Sequence, residues 1–218
     1  MMRDSRLLKK DLFGEVRAEM RDGRPCIVRD AGAASPWCRW LARLLLRREA
    51  RSLAALGGLP GVPALLDFDT DRLTRVYLEG APLHRARARE RAYYIDASRL
   101  LRRLHASGVV HNDLAKEPNL LVTPAGRAAF VDFQLAWFAP RRGRLFRTLA
   151  YDDIRHLLKH KRTYCAGALT ARERAILSRP SLPARIWMRT VKPVYLFVTR
   201  NILRWSDREG AADRGERS

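Results

Sequence analysis

The pattern of apolar and polar positions changes character near residue 80. Before that point, apart from one helical segment, it is typical of strands. In segment 15–30, apolar and polar residues alternate, Asp22-Gly23 supplies a two-residue hairpin turn, and a short apolar run follows. Segments 61–69 and 72–80 predict a second pair of strands. The N-terminal part of the chain is therefore predicted to form a small sheet.

Apolar residues recur at helical spacing in four other segments. The first covers residues 37–56 and ends at Gly57-Gly58. Its predicted apolar face consists of Leu41, Leu44, Leu45, Ala50, Leu53 and Leu56. Segments 95–108, 151–161 and 170–179 predict further helices, the last with Thr170 as its N-cap. Strands with one helix, followed mainly by helices, predict an α+β fold with two lobes that meet near residue 80.

Two segments in the second half carry oxygen-bearing side chains next to apolar runs. The first, HNDLAKEPNLLV at residues 111–122, contains Asp113 and Asn119, and the second, VDFQLAW at residues 131–137, contains Asp132. Transfer of a γ-phosphoryl group needs a carboxylate that orients the acceptor hydroxyl, and Mg²⁺ held by oxygen ligands against the phosphates. The two segments supply these groups, and the turn TPAG between them predicts a hairpin that brings them to one cleft.

These motifs resemble those of the protein-kinase-like superfamily, and the resemblance covers residues 7–165. HNDLAKEPN is similar to the catalytic loop H-R-D-x-x-x-x-N, and DFQ is similar to D-F-G. Arg29 stands where the family has its strand lysine, and Glu49 where it has the helix glutamate. VYLEG resembles the segment that receives adenine, and Asp153 stands at the place of the structural aspartate of a later helix.

The resemblance implies a two-lobed protein-kinase-like fold, with a reduced N-lobe sheet plus one helix and a mainly helical C-lobe. It implies an N-lobe over residues 1–80, a C-lobe over residues 81–205 and a polar tail over residues 206–218. It also implies ATP and Mg²⁺ as cofactors. The implied site residues are Asp113 and Lys116 for catalysis, Asn119 and Asp132 for metal binding, and Gly14, Arg29, Glu49, Tyr77 and Glu79 for binding ATP.

The chain departs from the family pattern at several positions. The catalytic loop is one residue longer, and the glycine-rich loop is reduced to Gly14 in DLFGEV. Arg29 replaces a lysine with which it is not interchangeable, so Lys9 or Lys10 is an alternative source of the ammonium group. Gln134 replaces the glycine of D-F-G, and no A-P-E signature follows.

Three functions are compatible with this shortened form. The first is a kinase of the lipopolysaccharide-core (Kdo or heptose) type, which transfers phosphate to a sugar hydroxyl. The second is a RIO-like serine/threonine protein kinase, and the third is a pseudokinase that acts as an interaction module. The motifs do not separate them, and they leave the oligomeric state open.

The charge of the chain narrows the choice of partners. Lys+Arg 43 against Asp+Glu 23 gives a net charge of +20, which favours an anionic partner such as lipopolysaccharide or the inner-membrane surface. The basic, aromatic segment 184–205 is either the last helical layer of the C-lobe or a membrane-facing surface. Specific nucleic-acid binding is not expected, since no nucleic-acid-binding motif is present.

The cellular location is predicted from the targeting and membrane-spanning segments that the sequence lacks. No apolar run approaches the roughly 20 residues of a membrane span, and the N-terminus has no signal-peptide core. Cys26, Cys38 and Cys165 lie too far apart in sequence to suggest a zinc site or a disulfide framework. We expect a cytoplasmic protein, with peripheral attachment to the inner face of the cytoplasmic membrane as an open alternative.

Overall fold

The computed structural model describes residues 5–178, and the residues up to Leu177 form one compact unit. Its strands are β1 (Ser5–Asp11), β2 (Gly14–Arg21), β3 (Arg24–Asp30), β4 (Leu65–Phe68), β5 (Arg72–Val76), β6 (Ala81–Pro82), β7 (Val109–Val110), β8 (Leu120–Val122), β9 (Ala128–Phe130) and β10 (Trp137–Phe138). Its α-helices are α1 (Arg39–Leu56), α2 (Leu83–Ala86), α3 (Arg91–Ala106), α4 (Arg144–Tyr164) and α5 (Ala171–Ser178). Short 3-10 helices cover Glu117–Asn119, Phe133–Leu135 and Ala166–Ala168. The α+β class predicted from the sequence is confirmed.

The first five strands form one antiparallel sheet in the order β1-β2-β3-β5-β4. The turn between β2 and β3 is the predicted Asp22-Gly23, and both residues have positive φ, at 51° and 73°. Two left-handed residues give a turn whose twist matches that of the flanking strands. β3 then places Cys26, Ile27 and Val28 in the interior in succession. Arg29, which the sequence predicts to bind ATP, thus lies near the end of a strand that is buried in its middle.

Helix α1 connects the sheet to the rest of the unit. It ends at Gly57, whose φ of 54° is the left-handed cap conformation that glycine adopts without strain. Ala42, Leu46 and Ala50 pack in the core beneath the sheet, whereas Leu53 and Leu56 belong to the larger core formed with α3.

The predicted apolar face of α1 is wrong at one position: Leu44 is 47% exposed. The helix has apolar residues on nearly every side in its first half, so spacing alone did not fix which side faces the core.

Helix α3 buries the face predicted from its spacing. Ala97, Leu100, Leu101 and Leu104 are at most 5% exposed, and each leucine stabilises the fold by about 1.5–3 kcal/mol through removal of apolar surface from water. Gly108 follows the helix with a φ of 76°, and a side chain there would meet the Ala139 carbonyl oxygen at 2.7 Å. The close approach lets Ala139 donate its backbone N–H to the Gly108 carbonyl.

Two small antiparallel pairings position the loops of the second half. In the first, β8 pairs with β9 and also with β6, with Leu120 opposite Phe130. In the second, β7 pairs with β10, with Val110 opposite Trp137. These ladders hold the loop that precedes β8 beside the loop that follows β9. The strands β6, β7 and β10, two residues each, and the four-residue α2 were not predicted from the sequence.

Asp96 ties α3 to the β8–β9 turn. Its Oδ2 accepts hydrogen bonds from Arg127 Nε at 3.0 Å and from the Ala128 N–H at 2.9 Å. The hydrogen bond from Arg127 lowers the pKa of Asp96; burial of the carboxyl opposes the shift, and the Ala128 N–H reinforces it. The folded state therefore stabilises the ionised form of Asp96 relative to the protonated form.

The final described helix begins as the sequence predicts. Thr170 Oγ1 accepts the Glu173 N–H at 3.2 Å, and Glu173 Oε2 accepts the Thr170 N–H at 2.8 Å, which is a capping box. Among residues 5–178, no helix is long and apolar enough to cross a bilayer. The predicted basic segment 184–205 and the tail 206–218 lie outside the described residues.

Candidate active site

The loop between β7 and β8 is held by a carboxylate from α4. Asp153 is 1% exposed, and its two oxygens accept the backbone N–H groups of His111 at 2.8 Å and Asn112 at 2.9 Å. His105 Nε2 lies 3.2 Å from the same carboxylate. Asn112 needs this support because its φ of 63° is uncommon for a residue other than glycine. Asp153 thus fixes the start of the loop that contains Asp113.

His111 is packed inside the unit. Its ring donates from Nε2 to the Val131 carbonyl oxygen at 3.0 Å and lies 4.6 Å from the ring of Phe133, centroid to centroid. Val131 directly precedes Asp132, so the imidazole connects the two candidate segments. This placement agrees with a structural role for His111 and not with proton transfer.

Asp113 lies at the centre of a small polar cluster. Its Oδ2 accepts a hydrogen bond from Asn119 Nδ2 at 3.0 Å and an ion pair from Lys116 Nζ at 3.0 Å. Asn119 Nδ2 also donates to the Asp113 carbonyl oxygen at 2.9 Å, so the asparagine is fixed by two bonds to one residue. The Asp113 side chain is 11% exposed and that of Lys116 63%. The three residues form one constellation, with the lysine at its solvent side.

Asp132 follows β9 and borders this cluster. The Val131 N–H donates to the Asn119 carbonyl oxygen at 3.0 Å, which places the two loops side by side. Asp132 itself has a φ of 63°, so its carboxylate turns out of the strand direction, and its side chain is 38% exposed. Burial raises the pKa of Asp132, but the positive charges of Arg29 and Arg75, with smaller contributions from His111 and Lys116, leave the pKa below its ordinary value. The group is a carboxylate at neutral pH.

A charge network connects Asp132 with the sheet and α1. Arg29 Nη1 lies 3.2 Å from Glu49 Oε2 and 3.4 Å from Asp132 Oδ1. Glu49 is fully buried, and its other oxygen lies 3.2 Å from Arg75 Nε on β5. Two guanidinium groups thus balance two carboxylates.

Sequence reasoning missed Arg75, and its only signal was a charge inside the apolar strand pattern LTRV. Burial lowers the pKa of Arg75, partly offset by the attraction of Glu49. Even so, a guanidinium remains charged in a protein. Arg75 therefore adds a permanent positive charge to the network of Arg29, Glu49 and Asp132.

The residues fit a magnesium ion that nucleotide phosphates help to bind. Among residues 5–178 no three His, Cys, Asp or Glu side chains converge on one point. However, Mg²⁺ commonly takes only one or two protein carboxylates and completes its shell with water and phosphate oxygens. Because Asn119 uses its nitrogen for Asp113, its side-chain oxygen faces away from that bond, and Asp132 is ionised and partly exposed. These two side chains would hold the ion.

The cleft above the network is narrow. It holds about 20 Å³ between the β1–β2 hairpin, β3 and α1, and its lining includes Gly14, Arg29 and Gln134. Gly14 packs directly on β3: with a φ of 120°, any side chain there would lie 2.0 Å from the Asp30 carbonyl oxygen. The glycine is therefore required by packing in this conformation.

The hairpin tip is attached to the start of α1. The Leu12 carbonyl oxygen accepts the Ser35 N–H at 3.2 Å and the Cys38 thiol, Sγ to O, at 2.7 Å. Lys9 and Lys10, the alternatives to Arg29, pair with acids of the same hairpin: Lys9 Nζ lies 3.2 Å from Asp11, and Lys10 Nζ 3.0 Å from Glu15. The cations found beside Glu49 are Arg29 and Arg75, and neither lysine contacts it in the described residues.

The segment predicted to receive adenine follows β5 without regular structure. Tyr77 is 44% exposed and donates its backbone N–H to the Pro25 carbonyl oxygen at 3.0 Å, and Glu79 is exposed. Gly80 lies so close to β8 that a side chain would meet Leu121 and the Val122 carbonyl at 3.0 Å. The segment is thus held at both ends, whereas the side chains of Tyr77 and Glu79 remain open to solvent.

Six of the nine predicted site residues fall into two clusters, Asp113 with Lys116 and Asn119, and Arg29 with Glu49 and Asp132. The other three, Gly14, Tyr77 and Glu79, lie outside both clusters. No protein-family model matches the chain, and a search of curated proteins finds no match.

Proposed function

We propose that this chain is a phosphotransferase with a two-lobed protein-kinase-like fold, which transfers the γ-phosphoryl group of ATP to a hydroxyl acceptor with Mg²⁺ as cofactor. The observation that carries the proposal is the constellation of Asp113, Lys116 and Asn119, placed beside the ionised Asp132. A carboxylate with a fixed orientation, an amide oxygen and a second carboxylate are the groups that phosphoryl transfer requires.

The arrangement assigns a role to each residue. Asp113 binds Asn119 and Lys116 through Oδ2, which leaves Oδ1 to accept the proton of the acceptor hydroxyl. The hydroxyl oxygen forms the new bond to the γ-phosphorus, the bond to the β-phosphate oxygen breaks, and ADP leaves. Asn119 and Asp132 would hold Mg²⁺, which neutralises phosphate charge. Lys116 and Arg29 bring positive charge to the two sides of the phosphates.

The acceptor we propose is a sugar hydroxyl of an anionic, membrane-associated molecule such as the lipopolysaccharide core. The net charge of +20 supports an anionic acceptor, because a basic surface raises the local concentration of anions and speeds their encounter. A RIO-like serine/threonine protein kinase is the alternative for the same chemistry, and the acceptor distinguishes the two.

The Arg29–Asp132 contact favours one other function, that of a pseudokinase interaction module. With Arg29 Nη1 at 3.4 Å from Asp132 Oδ1, the described conformation has its own cation where nucleotide-bound Mg²⁺ would lie. In this second candidate the Arg29–Asp132 contact replaces the metal permanently, and the fold serves to bind a partner.

Thermal unfolding with and without Mg²⁺ and ATP separates the candidates first. A nucleotide that binds only the folded state at 100 times its Kd stabilises it by about 2.7 kcal/mol, so the phosphotransferase should show a clear rise in Tm. Asp132→Asn should abolish the part of that rise that needs Mg²⁺. An unchanged Tm for the wild type at millimolar Mg²⁺ and ATP would favour the interaction module.

Transfer of radiolabelled phosphate from ATP then tests the chemistry. Purified lipopolysaccharide and a protein lysate are offered as separate acceptors, and label is expected in the lipopolysaccharide. Asp113→Asn should lower the rate by about 10²–10⁴, the usual contribution of a positioned base. Asp152→Asn on α4 is the matched control and should leave the rate unchanged. Label in protein alone would identify the protein-kinase alternative.

A further inference from the structure

An exposed row of side chains runs along the outer side of α1. Trp37, in the turn that leads into the helix, is 59% exposed, Trp40 is 67% exposed and Leu44 is 47% exposed. Arg47 and Arg51 continue the row and are also exposed. The spacing of four, three and four residues places Trp40, Leu44, Arg47 and Arg51 on one face of the helix, and Trp37 precedes them in the turn. We call these five residues the outer row.

The outer row is not needed by the core. The opposite side of α1 already buries Ala42, Leu46, Glu49 and Leu53 against the sheet and α3. Single exposed apolar residues are ordinary, but two tryptophans and a leucine in one continuous row form a patch of the kind that marks an interaction surface. The outer row is therefore a candidate interaction surface on the solvent side of α1.

The charges on α1 indicate what covers it. The helix carries five arginines, at positions 39, 43, 47, 48 and 51, and one acid, Glu49, which is fully buried. Arg43 pairs with Asp71, and Arg48 donates to backbone carbonyls near Ala136, whereas Arg47 and Arg51 extend the outer row. The solvent side of α1 thus presents only positive charge. A partner that binds this side of α1 should therefore present anionic groups and apolar groups on one surface.

We propose that the outer row is a docking surface for an anionic lipid bilayer. Tryptophan prefers the headgroup level, where its ring is in contact with apolar chains and its N–H with polar groups, and arginines pair with lipid phosphates. The helical part of the row extends over about 17 Å along α1. All of the row contacts the bilayer only if α1 lies in the plane of the interface. Because the tryptophans occupy the N-terminal half of the row and Arg47 and Arg51 its C-terminal half, the N-terminal half of the row inserts more deeply.

Docking through the outer row leaves the candidate active site intact. Glu49 lies on the opposite side of α1, where it contacts Arg29 and Arg75. The bilayer therefore covers one side of the helix while the other keeps the charge network in place. The proposal does not depend on catalysis, since it is tested without nucleotide, and it adds a specific surface to the membrane-associated acceptor proposed above.

Cosedimentation with lipid vesicles tests the proposal on the full chain. Wild type should bind vesicles of phosphatidylcholine mixed with phosphatidylglycerol much more tightly than vesicles of phosphatidylcholine alone. Trp37→Ser with Trp40→Ser should weaken binding to the mixed vesicles at least about tenfold, because even partial insertion of two indole rings removes a large apolar area from water. Leu145→Ser is the matched control, because Leu145 is 60% exposed on α4, outside the outer row.

The arginines are tested separately. Arg47→Gln with Arg51→Gln should reduce the preference for the mixed vesicles about thirtyfold, since each of the two cations near an anionic surface contributes about 1 kcal/mol. The weak binding to phosphatidylcholine alone should stay the same. Equal binding of the tryptophan variant and wild type to the mixed vesicles would overturn the proposal and assign the outer row to a protein partner instead.

Fluorescence quenching gives a readout that does not depend on the serine variants. In a full chain with Trp187→Phe and Trp205→Phe, the remaining indoles are Trp37, Trp40 and Trp137. Vesicles with bromine on the lipid chains should quench most of this emission, because Trp37 and Trp40 insert at the boundary of headgroups and chains. Emission that is unchanged by brominated vesicles, at lipid concentrations where the chain sediments, would refute insertion of the outer row.

Discussion

Replacing Asp153 by asparagine should destabilise the protein strongly, although Asp153 does not contact any reacting group in the proposed site. Its two carboxylate oxygens accept the N–H groups of His111 and Asn112, and His105 contacts one of them as well. Hydrogen bonds to a charged acceptor contribute about 1.5–3 kcal/mol each, and a buried donor left without a partner costs about 1–3 kcal/mol. Asparagine keeps the shape and one oxygen, so the loss should be about 3 kcal/mol.

The assay is thermal unfolding, followed by circular dichroism. For a unit of this size, 1 kcal/mol corresponds to about 2–4 °C in Tm, so Asp153→Asn should unfold about 6–12 °C below wild type. Asp152→Asn removes the same charge from the neighbouring position of α4, where the carboxylate forms no hydrogen bond within residues 5–178. Its free energy of unfolding should stay within about 0.5 kcal/mol of wild type. Equal Tm values for the two variants would refute the conclusion that Asp153 holds the loop.

Three further changes test local features of the structure. Gly14→Ala should cost about 2–3 kcal/mol in urea unfolding, because its new methyl group would collide with the β3 backbone, whereas Gly23→Ala, with open space around it, should cost only about 1 kcal/mol. For Asp96, the depressed pKa of the folded state means that the carboxylate stabilises fully above its unfolded pKa, near 3.8, and less as the pH falls through the lower folded value. The gap in unfolding free energy between wild type and Asp96→Asn should therefore be smaller at pH 3 than at pH 6. If the site binds ATP and the hairpin must open to admit it, Cys38→Ala, which removes one of the two hydrogen bonds at the hairpin tip, should tighten ATP binding several-fold by calorimetry. Cys26→Ala, which removes an equally buried thiol on β3, should not.

Sequence reasoning located the features that depend on nearby residues. The hairpin at Asp22-Gly23, the end of α1 at Gly57 and the N-cap at Thr170 are each encoded within a few positions, and all three are present. The Asp113–Asn119 contact belongs to the same class, because both residues lie in one short loop.

Features that depend on distant elements were not predictable in the same way. The position of Arg75 beside Glu49 requires β5 and α1 to pack in one specific arrangement, and a charged residue in a short apolar strand usually faces water. The phase of α1 is a second example. Because apolar residues surround the first half of α1, its sequence is compatible with Leu44 facing the core. In the structure Ala42 and Leu46 pack in the core instead, and Leu44 faces outward.

The start of α1 links the narrow cleft with the outer row. The Leu12 carbonyl at the tip of the β1–β2 hairpin is bound to Ser35 and Cys38, and Trp37 lies between these two residues in sequence. A force that orders the turn around Trp37 therefore acts on the hairpin tip through two hydrogen bonds. The tip borders the narrow cleft beside Arg29, which the proposed nucleotide would approach. A ligand shifts a conformational equilibrium only by the difference in its affinity for the two states. If a bilayer binds the outer row equally well with the hairpin closed and open, docking localises the protein without changing its affinity for nucleotide. If insertion of Trp37 pulls the turn away from Leu12, the same contact favours the open cleft, so membrane binding and nucleotide binding strengthen each other by equal factors.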